Sequence, residues 1–154
     1  MPRHSPKSTP MERAAAVIAR AAEVQRRATG KALTGKRSIS RLLAMTRDAM
    51  ARVERTIARV NKIAPPARPI ACGANCPFCC HIRLMVSPPE ILAVADHLRK
   101  SLGEDDLAKT KLRVANLDHL TRGHGEARRE AMRLPCSMLV DGSCAIHIVR
   151  PSSC

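Results

Sequence analysis

A chain of 154 residues with 27 Lys and Arg against 13 Asp and Glu, a net charge of +14, has room for one ordinary domain and an appendage. Apolar residues make up 45%, nearly all of them aliphatic, and Phe78 is the sole aromatic, which excludes a ring-filled core. There is no run of about 20 apolar residues to cross a bilayer and no apolar signal region after the start. Seven cysteines, an odd count, cannot all be satisfied by disulfides within one chain, so the expected setting is reducing and cytoplasmic.

Charge is unevenly spread. Residues 1–70 hold 16 Lys and Arg against 4 Asp and Glu, a net of +12, whereas residues 71–154 hold 11 against 9, a net of +2. The expected architecture is therefore mainly α, a small helical metal-binding domain preceded by basic N-terminal helices. Its parts are a disordered tail over 1–10, a basic helical extension over 11–64, a Pro-rich linker over 65–71 and a cysteine-cluster domain over 72–154.

Pro2, Pro6 and Pro10, with Ser, Lys and Arg, mark the tail. The Arg- and Ala-rich start has something of a transit peptide, but the early prolines and Glu12 argue against one. Ala- and Arg-rich composition predicts a helix from Met11 to Thr29, with Gly30 and Gly35 bracketing a break. In the next helix Ile39, Leu43, Thr46, Met50, Val53, Ile57, Val60 and Ala64 alternate spacings of four and three, with Thr46 the one interruption. Ser38 caps this helix and Pro65-Pro66 stops it. Such a seam suits a coiled coil, a partner helix or self-association through residues 39–64, and equally a stripe packed within the chain.

The decisive stretch follows. Cys72, Cys76, Cys79 and Cys80 fall within nine residues that also hold Gly73 and Pro77. Core packing gives no reason to crowd four thiols into a loop, while thiolates aimed at a cation do. Adjacent Cys79 and Cys80 point apart, so they divide between two ions or one of them only supports the other. Ser87-Pro88-Pro89-Glu90 then reads as a helix start, Ser87 capping and Glu90 at the capping-box position. Ile91, Val94, Leu98 and Leu102 form its apolar face, and Gly103 ends it. A further helix over 104–120, begun by Asp105-Asp106, buries Leu112 and Ala115. Gly123 and Gly125 break it, and a short basic helix precedes Pro135.

Cys136, Cys144 and Cys154 arrive in the tail, around a turn signal at Asp141-Gly142. A two-residue turn pairs Val140 with Ser143 and places Cys136 and Cys144 on opposite strand faces. A three-residue turn pairs Val140 with Cys144 and places both thiols on one face. Metal binding by both predicts the second, or a knuckle in place of a ladder. All seven cysteines are candidate ligands, with His81 and His147 as secondary ones; His97, His119 and His124 have no thiol neighbours in sequence.

This pattern resembles the YkgJ-like cysteine-cluster family of zinc- or iron-chelating domains, over about residues 70–154. The resemblance rests on the loop ending Cys79-Cys80, the Ser87-Pro-Pro-Glu90 start, and Pro135-Cys136 leading through Asp141-Gly-Ser-Cys144-Ala-Ile-His147-Ile-Val-Arg150-Pro151-Ser-Ser-Cys154. It implies a metal-binding domain with no assigned reaction. His147 stands where the family has Tyr, and relatives continue past the cysteine matched by Cys154.

Three functions compete. The favoured one is a module binding zinc or iron. The second is redox or electron transfer at an iron–sulfur cluster. Cys72-x3-Cys76-x-Phe78-Cys79 also has the spacing of a radical S-adenosylmethionine loop, but too little chain follows for a barrel. The third is nucleic-acid binding through Arg20, Arg26, Arg27, Lys31, Lys36, Arg37 and Arg41, with a structural metal. No nucleophile–base pair, phosphate-cradling glycine loop or paired carboxylate stands out, so an enzyme is not expected.

Overall fold

Proline at the first turn of a helix loses nothing, because its missing N–H had no partner there. Helix α1, Pro10–Leu33, begins this way. Thr9 Oγ1 accepts the Glu12 N–H at 3.2 Å, and Glu12 Oε2 accepts the Thr9 N–H at 2.7 Å, closing a capping box. The helix runs through Gly30 rather than breaking there. Glycine inside a helix costs about 1 kcal/mol, and the flanking Lys31, Ala32 and Leu33 absorb it. Helix α2, Ile39–Ile63, is capped by Ser38, whose Oγ accepts the Arg41 N–H at 3.2 Å. Arg41 Nη2 also donates to the Lys31 carbonyl at 3.0 Å, clipping the link between the helices.

The computed structural model describes residues 8–36, 38–68, 73 and 75–154. Most of the tail expected over 1–10, part of the linker, Arg37 and Cys72 lie outside them. The chain divides into two units, Met1–Ile70 and Ala71–Cys154.

In the first unit α1 and α2 pack on one another as a helical hairpin. Ala14, Leu43 and Thr46 are its buried residues. Thr46, the interruption in the seam, is tolerated because its hydroxyl donates to the Leu42 carbonyl at 2.9 Å and leaves its methyl to pack. Further along the seam Val53 and Ile57 remain 37% and 46% exposed. Gln25 Oε1 accepts from Arg52 Nε at 3.1 Å, a polar tie across the two helices.

The second unit is built from short pieces: α3 (Pro88–Ser101), α4 (Glu104–Thr121), α5 (Glu126–Met132) and a hairpin of β1 (Leu139–Val140) and β2 (Ser143–Cys144). Single 3₁₀ turns lie at Phe78–His81 and His147–Val149. Val94 and Leu98 of α3 and Ile146 form the core, with Leu102, Leu107, Met138, Cys144 and Val149 against it.

Several expectations are corrected. Ile91 is 51% exposed and Leu112 61% exposed, and Ala115 is exposed as well. The inner face of α4 is instead Leu107, Thr110, Arg113 and Leu117, of which Thr110 is buried. Its polar atoms are satisfied: the Thr110 hydroxyl donates to the Asp106 carbonyl, and Arg113 reaches the Ser137 carbonyl at 3.0 Å. Gly103 does not adopt a left-handed cap after α3; its backbone is extended, and it starts α4. Three acidic residues in the first turn of α4 then favour the helix dipole.

Candidate metal centre

The tail is a tight turn joining a short antiparallel ladder. Asp141 and Gly142 both have positive φ, 48° and 75°, the pair a type I′ turn demands. Val140 therefore pairs with Ser143 and Leu139 with Cys144. This is the two-residue turn, yet the expected separation of Cys136 from Cys144 does not follow. Cys136 precedes the strand, in a turn closed by Leu139 N–H to Cys136 C=O at 3.0 Å. The Met138 N–H points at Cys136 Sγ, 3.4 Å away. An N–H aimed at sulfur across such a turn is a knuckle, and strand alternation does not govern it.

The loop and the tail meet through the backbone: the Cys136 N–H donates to the Cys80 carbonyl at 2.6 Å. Cys80 is buried, and Cys76, Cys79, Cys136, Cys144 and Cys154 are half-buried; all six are free thiols. Burial pushes the Cys80 thiol up to about 12, helped by the proximity of Cys144, Cys136 and Cys79. Burial likewise raises Cys154 to about 11, with Cys79, Cys136 and Cys144 adding to it and Arg150 opposing. Cys136 is raised by burial, against the Met138 N–H, with further contributions from Cys144 and Cys79. Negative charge on any one of these sulfurs is thus disfavoured by the others. A cation reverses that sign, since it stabilises each thiolate it touches.

Cys154, near Cys79, Cys136 and Cys144, follows a latch that sequence reasoning missed. The Ser152 N–H and hydroxyl donate to Glu90 Oε1 at 2.8 and 2.6 Å, and the Ser153 hydroxyl donates to the Met85 carbonyl at 2.8 Å. Glu90 Oε2 simultaneously accepts the Ser87 N–H and hydroxyl at 3.0 and 2.6 Å. Partial burial alone would raise this carboxyl, but the serine hydrogen bonds outweigh it and bring it down to about 2. The capping signature revealed one oxygen of Glu90, and nothing local announced the second.

His81 is exposed. His147 is half-buried, and Arg150 Nη1 lies 2.6 Å from its Nε2. A guanidinium only donates, so that nitrogen is the acceptor and is already engaged. Arg83 pairs with Glu126, and Asn75 Oδ1 accepts loosely from the Ser143 hydroxyl at 3.5 Å.

Among the described residues no three or more Cys, His, Asp or Glu side chains stand together as a ready metal-holding group. Burial and mutual proximity keep Cys80, Cys136 and Cys154 as neutral thiols in the absence of a cation. Their chemistry, soft sulfur in partly desolvated surroundings, fits zinc, iron or an iron–sulfur cluster. Among the described residues no helix is long and apolar enough to cross a membrane. No protein-family model, curated protein or solved structure matches this chain.

Proposed function

We propose that residues 71–154 are a metal-binding module, in which zinc or iron joins the cysteine loop to the tail. The observation that carries this reading is the bond from Cys136 N–H to Cys80 C=O, which brings the backbone of the tail to the cysteine loop, with Cys144, Cys136 and Cys79 near enough to help burial raise the Cys80 thiol. The candidate ligands are Cys72, Cys76, Cys79, Cys80, Cys136, Cys144 and Cys154, with His81 and His147 secondary. The resemblance to YkgJ-like proteins points the same way. A bound ion would neutralise the thiolates and cross-link a domain whose own apolar core is thin. The chain's own residues supply the rest: the Met138 N–H supports Cys136, and the Glu90–Ser152 latch ties down the segment just before Cys154. Free thiols of this kind belong in a reducing compartment, and we infer a cytoplasmic one.

Elemental analysis of protein purified without oxygen tests the reading. The expected result is zinc or iron in near-stoichiometric ratio, lost on chelation together with thermal stability. Visible absorbance separates an iron–sulfur cluster from zinc. Fully folded protein with neither element, unable to take up either, overturns the proposal.

A further inference from the structure

The groove between α1 and α2 lies wholly within the first unit and owes nothing to the cysteines. It encloses ≈ 480 Å³. It is lined by Val17, Val24 and Arg20 of α1 and by Arg52, Arg55 and Arg59 of α2. The three arginines of α2 follow i, i+3, i+7 spacing and stand on one face, over a length of roughly 10 Å at 1.5 Å per residue. Gln25 grips Arg52 by its Nε, which steadies the fork while leaving its outer nitrogens available. The ion pairs from Glu23 go to Arg26 and Arg27, which do not line the groove.

Four like charges around one concavity repel each other, and that repulsion opposes folding. Phosphates along a strand offer the complementary array, each able to accept two parallel N–H bonds from a guanidinium. No aromatic residue occurs in residues 1–70, so bases have nothing to stack on. That favours the outside of a duplex over single strands. A bilayer surface presents no ridge to fill a groove, and interfacial helices turn an apolar face outward with cations beside it.

We propose that the α1–α2 groove grips the phosphodiester backbone of a nucleic-acid duplex, through Arg20, Arg52, Arg55 and Arg59 and without reading sequence.

The test is fluorescence anisotropy of the full chain with a labelled random-sequence DNA duplex, across a salt titration. Four phosphate contacts predict a slope of log K against log salt of about −3.6, at about 0.9 per contact. Arg52→Gln/Arg55→Gln/Arg59→Gln should cut that slope by about 2.7 units and weaken binding at least tenfold at low salt. A charge-matched control, Arg13→Gln/Arg26→Gln/Arg27→Gln, should lose far less. Arg→Lys at the three groove positions retains charge and guards against a folding defect; it should keep most of the slope. Equal losses in the control and groove variants overturn the proposal, because diffuse charge then accounts for binding. So do absence of duplex binding at low salt, binding confined to phosphatidylserine vesicles, or a self-associated chain that the groove variant dissociates without changing duplex affinity.

Discussion

The two units of this chain reach stability by opposite routes. The helical hairpin is made of two long helices whose starts and stops follow local rules: Thr9 and Ser38 cap, and Pro65 terminates. Of the seam, only Leu43 and Thr46 are buried. It carries a large positive charge and buries little. The cysteine unit has short elements, near-neutral charge and a small core of Val94, Leu98 and Ile146. Much of what holds it comes from bonds between residues far apart in sequence, such as Cys136 to Cys80 and Ser152 to Glu90. Where local preference is strong, a fold needs few long-range contacts. Where elements are short, specific ties and, on our reading, a metal must do more.

That contrast can be broken most sharply by chelation. Removing zinc or iron from loaded protein should abolish hydrogen-exchange protection across 71–154 while leaving α1 and α2 protected. Cys136→Ser should lower the metal-to-protein ratio in the same direction, read by elemental analysis. Equal loss of protection in both units would erase the distinction.

Core truncation comes next. Leu98→Ala should cost about 2–4 kcal/mol in the cysteine unit, and Leu43→Ala a similar amount in the hairpin, each seen as a lower unfolding midpoint. Protection should fall only in the unit that carries the change.

The latch gives a smaller, pH-dependent effect. The Glu90 carboxyl falls from its ordinary 4.5 to about 2 in the fold. A group whose pKa is depressed stabilises the folded state fully above its unfolded value and loses that contribution as pH falls through the folded one. Wild-type stability should therefore drop between about pH 4.5 and 2, and Glu90→Gln should flatten that drop. The same variant should speed exchange at the Ser152 amide while sparing the hairpin.

Smallest is the cap. Thr9→Ala removes a hydrogen bond at an exposed helix start and should cost about 1 kcal/mol or less of hairpin stability. Fraying confined to the first turn of α1, seen by amide exchange, would be its mark.

Much of this was legible beforehand, for reasons that differ by element. The starts of α2, α3 and α4 could be placed because a cap, a proline or an acidic first turn acts within a few residues. The break expected between Gly30 and Gly35 is present but begins only after Leu33, because propensity is weak and Lys31, Ala32 and Leu33 outvote one glycine. Ile91, Leu112 and Ala115 were expected inside and lie outside. Helical period tells which residues share a face, but which arc of that face meets a neighbour depends on the neighbour. In α4 the covered arc runs through Thr110 and Arg113, polar residues rescued by bonds to Asp106 and Ser137 that no local pattern encodes. The Asp141-Gly142 turn was visible, but its length was not, and the knuckle at Cys136 made the strand-face argument irrelevant.

By itself the order of amino acids determined a mainly helical chain, its charge asymmetry and two clusters of thiols, since composition, caps and periodicity act over a turn or two. Only the tertiary structure decided that α2 lies on α1, that their facing sides leave an arginine-lined groove, and that Glu90 reaches across to Ser152. Those outcomes depend on which distant surfaces exclude water together, and that balance is struck over the whole folded unit rather than within any segment.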